Sequence, residues 1–125
     1  MKLEYLADGA PECPLIRLYG FPAAEAAQLV AAVGGLASGS VGRVETHRLP
    51  FVEPIGGCQL TLVRRPWDRA VVQVGMSAFE CGFTAETWGN VAGLIEPFAK
   101  DADGFQWLAG APGAAVVLLS ASGGW

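Results

Sequence analysis

Charge is scarce in this chain. Only 16% of its 125 residues are Asp, Glu, Lys or Arg, against about 25% in an average soluble domain. Lysine occurs only at Lys2 and Lys100, and twelve acids outnumber eight bases for a net charge of -4. That excludes a polybasic nucleic-acid binder, which needs clustered Lys and Arg to displace counterions from phosphates. Histidine is a single residue, His47, so any imidazole-based mechanism must pass through it. Cysteine is sparse and odd in number: Cys13, Cys58 and Cys81, with no C-x-x-C pair. They read as small buried hydrophobes in a reducing compartment. A zinc site joining them to His47 fails on spacing. Structural zinc sites take ligands in tight pairs, and the nearest two here, His47 and Cys58, stand 11 apart.

Long hydrophobic runs are missing too. Ala26 to Gly42 is free of charge over 17 residues but is broken by Gln28, Ser38, Ser40 and several glycines. A membrane-spanning helix needs about 20 predominantly apolar residues. The lead segment MKLEYLADGAPECP carries Glu4, Asp8 and Glu12 and no apolar h-region, so it does not read as a signal peptide. The expectation is a cytoplasmic protein with no membrane partner. The glycines form neither G-x-x-x-x-G-K-[ST] nor a strand-following G-x-G-x-x-G, so no phosphate-cradling loop and no cofactor are implied.

Apolar surface is abundant: 52% of residues are hydrophobic and mean hydropathy is +0.38. Such a chain can offset the entropy of ordering, which excludes intrinsic disorder, and its length favours one domain spanning 1–125. Residues 1–14 read as a loose lead-in. Leu15 to Phe21 alternates as a strand, and Pro22 suits the first turn of a helix. Ala26, Leu29, Val30, Val33, Leu36 and Ala37 then share one helical face. Phe79 to Phe83 repeats the strand, Thr84 is a good N-cap, and Trp88, Val91, Ala92, Ile95, Phe98 and Ala99 repeat the face 62 residues later. A common helical period would give matching core positions by itself. The shared Gly20-Phe21 and Gly82-Phe83 lead favours an internal duplication over 15–65 and 77–122.

Strands are also expected at Arg43 to Leu49, Cys58 to Arg65, Ala70 to Gly75, Phe105 to Leu108 and Ala114 to Ser120. Arg65 to Asp68 reads as a tight turn closing a hairpin, and Gly110 to Gly113 as another turn. The apolar run AAVVLLS suits a covered strand. The expected class is α+β: a mainly antiparallel sheet with two helices on one face, built from a duplicated βαββ(β) unit. This order is similar in outline to folds made of paired βαβββ units, such as vicinal-oxygen-chelate enzymes and sliding-clamp domains. The likeness is one of topology and implies no activity.

No residue set carries a reaction. Glu45 and His47 share a strand face, but no G-x-S-x-G or H-E-x-x-H context surrounds them. Cys81 beside Glu80 faces Phe79 and Phe83, where a thiol is a poor nucleophile. Residues 43–69 carry Arg43, Arg48, Arg64, Arg65 and Arg69 against Glu45, Glu53 and Asp68, a net of +2, and the rest of the chain carries -6. Glu45, His47, Arg48 and Arg64 are therefore candidates for an anionic ligand, or else edge-protecting charges. In Leu49 to Gly57 (LPFVEPIGG), Pro50 and Pro54 exclude a central strand. Phe51, Val52 and Ile55 either fold back over a core edge or meet a partner, as Trp67 could. The leading expectation is a non-enzymatic module that binds a protein partner or a second copy. The alternative is an enzyme or binding protein for a small anion, on the arginine-bearing face.

Overall fold

The structure is a computed structural model that describes residues 1–110 and 115–125. The turn expected at Gly110 to Gly113 and the start of the strand expected at Ala114 fall largely outside them. Helix α1 (Ala23–Ser38) buries Ala26, Leu29, Val33 and Leu36, and α2 (Ala85–Lys100) buries Trp88, Val91, Ile95 and Phe98. These are equivalent positions, 62 residues apart. Their ends differ. Pro22 occupies the N-cap of α1 without a side-chain bond, whereas the Thr84 hydroxyl accepts the Thr87 N–H at 3.3 Å. Gly39 ends α1 at φ 84°, a left-handed conformation open to glycine.

Nine strands complete the described elements: β1 (Lys2–Leu6), β2 (Leu15–Tyr19), β3 (Arg43–Glu45), β4 (Glu53–Pro54), β5 (Gln59–Arg64), β6 (Arg69–Gln73), β7 (Ala78–Phe83), β8 (Phe105–Ala109) and β9 (Val116–Ser120). They form two mixed sheets, ordered β4-β1-β2-β9-β8 and β3-β5-β7-β6. The α+β class expected from the sequence is observed. The antiparallel pairs are there, and each sheet adds a parallel pair at its centre, β2 with β9 and β5 with β7.

Four expectations are corrected. The lead-in is not loose: Lys2–Leu6 pairs antiparallel with β2, because Leu3 and Tyr5 face the core while Lys2 and Glu4 face out. The strand expected over Arg43 to Leu49 stops at Glu45, and Thr46–Arg48 form a 3-10 turn. Arg65 to Asp68 does not close a hairpin. β7 lies between β5 and β6 and pairs with both. Leu60, Thr61 and Leu62 are all buried, so β5 is covered on both faces, the setting of a central strand paired in parallel, here with β7. One sheet becomes two, although both supply side chains to one hydrophobic core beneath the helices.

The strand order β8-β9-β2-β1 is matched by β3-β5-β7-β6. In each case the strands after one helix pair with the strands before the other, so the two ββαββ halves interlock. The inward strand residues sit 63 apart, Ile16 with Phe79 and Leu18 with Cys81, rather than 62. Gly20, at φ 66°, takes up the extra residue between β2 and α1. The helices run antiparallel, with Ala37 beside Gly89 and Phe21 against Phe98. The C-terminus of α1 and the N-terminus of α2 meet where β5 and β7 end. The other two helix ends meet where β9 and β2 end.

Candidate functional site

The candidate residues from the sequence separate into three places. Glu45 pairs with two arginines, Arg48 Nε at 2.8 Å and Arg43 Nε at 3.6 Å, and lies 3.9 Å from His47 Nε2. The His47 Nδ1 accepts the Leu60 N–H at 3.2 Å, which pins the 3-10 turn to β5. Arg48 and Glu45 line an open depression of about 420 Å³ floored by Ala31, Ala32 and Val44. Arg64 is elsewhere, at the end of β5, so the four residues do not converge on one site.

Leu49 to Gly57 folds back over the core edge. Val52 is only 9% exposed and Phe51 and Leu49 pack against the core, while Glu53–Pro54 pair with Lys2–Leu3. The Phe51 carbonyl accepts a bond from the Met1 amine, which also pairs with Glu25. Ile55 is half-buried, and its N–H donates to the Leu3 carbonyl at 2.8 Å. Of the four residues expected on an interaction surface, Trp67 alone is fully open, at 65% exposure.

Trp67 sits in a held turn. Asp68 Oδ1 accepts the Thr84 N–H at 3.0 Å and Oδ2 accepts the Thr87 hydroxyl at 2.8 Å. These bonds, the backbone one first, lower the Asp68 carboxyl below its ordinary range. Pro66 stiffens the same turn. Around it the sheet register places Arg43 opposite Val63, and Arg69 opposite Gly82. Arg65 lies across Gly82, where an added Cβ would fall 2.8 Å from its Cδ, and pairs with Glu80. Arg64 turns the other way, its guanidinium lying over Gly39 where a Cβ would stand. Gly42, Arg64, Arg65, Pro66, Thr84 and Ala85 line an open depression of about 540 Å³. Sequence reasoning found the arginines and Trp67 separately. Only the place of β7 between β5 and β6 assembles them at one end of the sheet.

Among the described residues the interior holds a much smaller space. Its cavity, between the helices and both sheets, is about 20 Å³ and lined by apolar side chains and the Cys81 thiol, room for little more than a water. Burial pushes the Cys81 thiol up to about 12 and Cys58 to about 11, with nearby carboxylates adding to both. Both thiols stay protonated and inert at neutral pH. Among the described residues no group of three or more His, Cys, Asp or Glu could hold a metal ion, and no helix is long and apolar enough to cross a membrane. Comparison with protein-family models, with curated proteins and with solved structures gives no match.

Proposed function

We propose that this small α+β domain is a protein-interaction module whose contact surface is the arginine-rich end of the four-stranded sheet around Trp67. The carrying observation is an indole that is 65% exposed on a turn fastened to α2 through Asp68. An exposed tryptophan has no packing role to explain it. With its turn already fastened, little backbone ordering is left to offset on binding, and tryptophan is prominent among interface hot spots. The same reading takes the two ββαββ halves as an internal duplication, supported by the equivalent helix positions. It places the protein in a reducing compartment, in keeping with free Cys58 and Cys81 thiols in the core.

A peptide-display selection against the full chain tests the surface. Selected binders should lose affinity for Trp67→Ala and keep it for Trp125→Ala, which lies elsewhere. Binders indifferent to Trp67 would contradict the proposal. Light scattering over a dilution series asks whether the partner is a second copy. A mass near 13.0 kDa at every concentration would remove that option.

A further inference from the structure

We infer that β8 is an interface between two copies of this chain, which join by pairing their β8 edges antiparallel. β8 is an outer strand of the five-stranded sheet and pairs with β9 on one side only. The direction of its backbone groups follows from that ladder. The Ala121 N–H donates to the Gly104 carbonyl at 3.0 Å, one step before Phe105 stands opposite Ser120. Along an antiparallel strand, residues bonded to the neighbour alternate with residues that are not. Gln106 therefore turns its N–H and carbonyl to β9, and Phe105 and Trp107 turn theirs outward. The Gln106 Nε2 reaches the Trp107 carbonyl at 3.0 Å, in keeping with a carbonyl that β9 does not use. Among the described residues no other group bonds the N–H or carbonyl of Phe105 or Trp107 outside the β8–β9 pair.

The other sheet edges carry features that keep strands apart: charge, proline, shortness and bulges. β3 is three residues long with Arg43 and Glu45, β4 is Glu53–Pro54, and β6 opens on Arg69 with a bulge between Arg69 and Val72. β8 has a bulge only after Trp107, and the sequence from Gly104 to Trp125 contains no charged side chain. Gln106 stands opposite the core residue Leu119, so Phe105 and Trp107 share the face turned away from the core. Their rings lie 6.3 Å apart, edge to face, and Phe105 is 48% exposed.

These outward groups fit themselves. Phe105 of one copy set opposite Trp107 of the other, about a two-fold axis at Gln106, brings every outward N–H to an outward carbonyl. The Trp107 carbonyl keeps a second lone pair beside the Gln106 amide. Each Phe105 ring then faces a Trp107 ring in an aromatic cross-strand pair. The net charge of -4 does not act here, since the nearest charged residue along the chain is Asp103. In this register Asp103 of one copy falls opposite Ala109 of the other. The two carboxylates are about 20 Å apart along the strands, and physiological salt screens exposed charges beyond about 8 Å. The pairing is separate from the Trp67 turn, which belongs to the other sheet.

Sedimentation velocity on the full chain over a dilution series, with amide hydrogen exchange at both ends of the series, tests this. The mass should rise from near 13.0 kDa toward twice that value with concentration. The Phe105 and Trp107 amides should exchange freely in dilute protein and slowly in concentrated protein, whereas the Gln106 amide, bonded to β9, stays protected in both. Phe105→Glu puts a carboxylate on the shared edge and should raise the dissociation constant by about tenfold or more. Trp67→Ala should leave it unchanged. Phe105 is exposed, so unchanged melting of dilute Phe105→Glu verifies its folding. A mass near 13.0 kDa at every concentration, a dimer whose Phe105 and Trp107 amides still exchange freely, or a dimer unaltered by Phe105→Glu overturns the β8 interface. Dimerisation lost in Trp67→Ala overturns it too, and moves association to the Trp67 surface.

Discussion

Where β5 and β7 end, the chain leaves a turn, Arg65 to Asp68, with Trp67 exposed on it, beside an open depression; among the described residues Arg64 and Arg69 at this end form no ion pair. Where β9 and β2 end, the equivalent stretch folds down. The Ala121 carbonyl accepts the Gly20 N–H, Arg17 donates to the Gly123 carbonyl at 2.8 Å, and the Ser120 hydroxyl bonds Gly124 at 2.6 Å. Arg17 is further held by Glu4 and stacked 4.0 Å from the Tyr19 ring. Topology and helix packing are shared between the ends, and the finishing residues are not. One arginine is enclosed by acid, aromatic and backbone. Its counterparts at the other end stay available. A common scaffold therefore leaves function to a few side chains beyond the last strand residues.

The largest effect tests what the ends share. Trp88 is 1% exposed, donates to the Val63 carbonyl at 2.9 Å and packs on Phe83. Trp88→Ala should cost about 3–5 kcal/mol in denaturant unfolding. Ala26, the equivalent position in α1, is fully buried, and Ala26→Leu should cost about 1–3 kcal/mol by overpacking. A tolerant Ala26 would mean that the two helix faces are not packed alike.

Glycines separate the ends next. Gly20 and Gly39 both have positive φ, 66° and 84°, so alanine at either should cost about 1–2 kcal/mol. Only Gly39→Ala also displaces Arg64. It should weaken binding of the peptides selected by display, and Gly20→Ala should leave it intact. Equal binding by the two variants would detach Arg64 from the account. The helix caps give a smaller contrast: Thr84→Ala should lower stability by about 1 kcal/mol, whereas Pro22→Ala removes no side-chain cap.

Asp68 supplies the pH dependence and the subtlest contrast. Its carboxyl is lowered in the folded state. Its stabilisation is therefore complete above the ordinary aspartate range, near pH 4, and is lost as pH falls through the lowered value. Asp68→Asn should melt earlier than the parent at neutral pH, and the gap should close on acidification below about pH 4. A gap that widens there would show that the carboxylate is not held by Thr84 and Thr87.

The helix cores, the Thr84 cap and the covered nature of β9 were legible because each is a local pattern of period or capping chemistry. Cys58 and Cys81 were legible as core for the same reason. The pairing of β5 was not. Arg65-Pro66-Trp67-Asp68 has turn chemistry whether the next strand lies beside β5 or one place further on, and only long-range burial decides. Lys2–Leu6 was obscured by Glu4 and by the prolines that follow it. For the site, composition exposed the basic stretch 43–69 and the sequence marked Trp67. Which arginines already have acids depends on register, and Arg65 crossing Gly82 to reach Glu80 has no signature in sequence spacing. The apolar residues of LPFVEPIGG carried no sign of their destination either, since a two-residue parallel pairing with β1 is too short to read.

Four tryptophans occupy four different settings: Trp67 in the arginine end, Trp88 in the core, Trp107 on β8 and Trp125 beyond the folded tail. Their indole N–H signals in a 15N-labelled sample give separate reporters in one spectrum. Titration with a display-selected peptide should move the Trp67 indole progressively to saturation and leave those of Trp107 and Trp125 in place. Movement of Trp107 or Trp125 with Trp67 unmoved, or no movement of any of them, would contradict the assignment of binding to the arginine end.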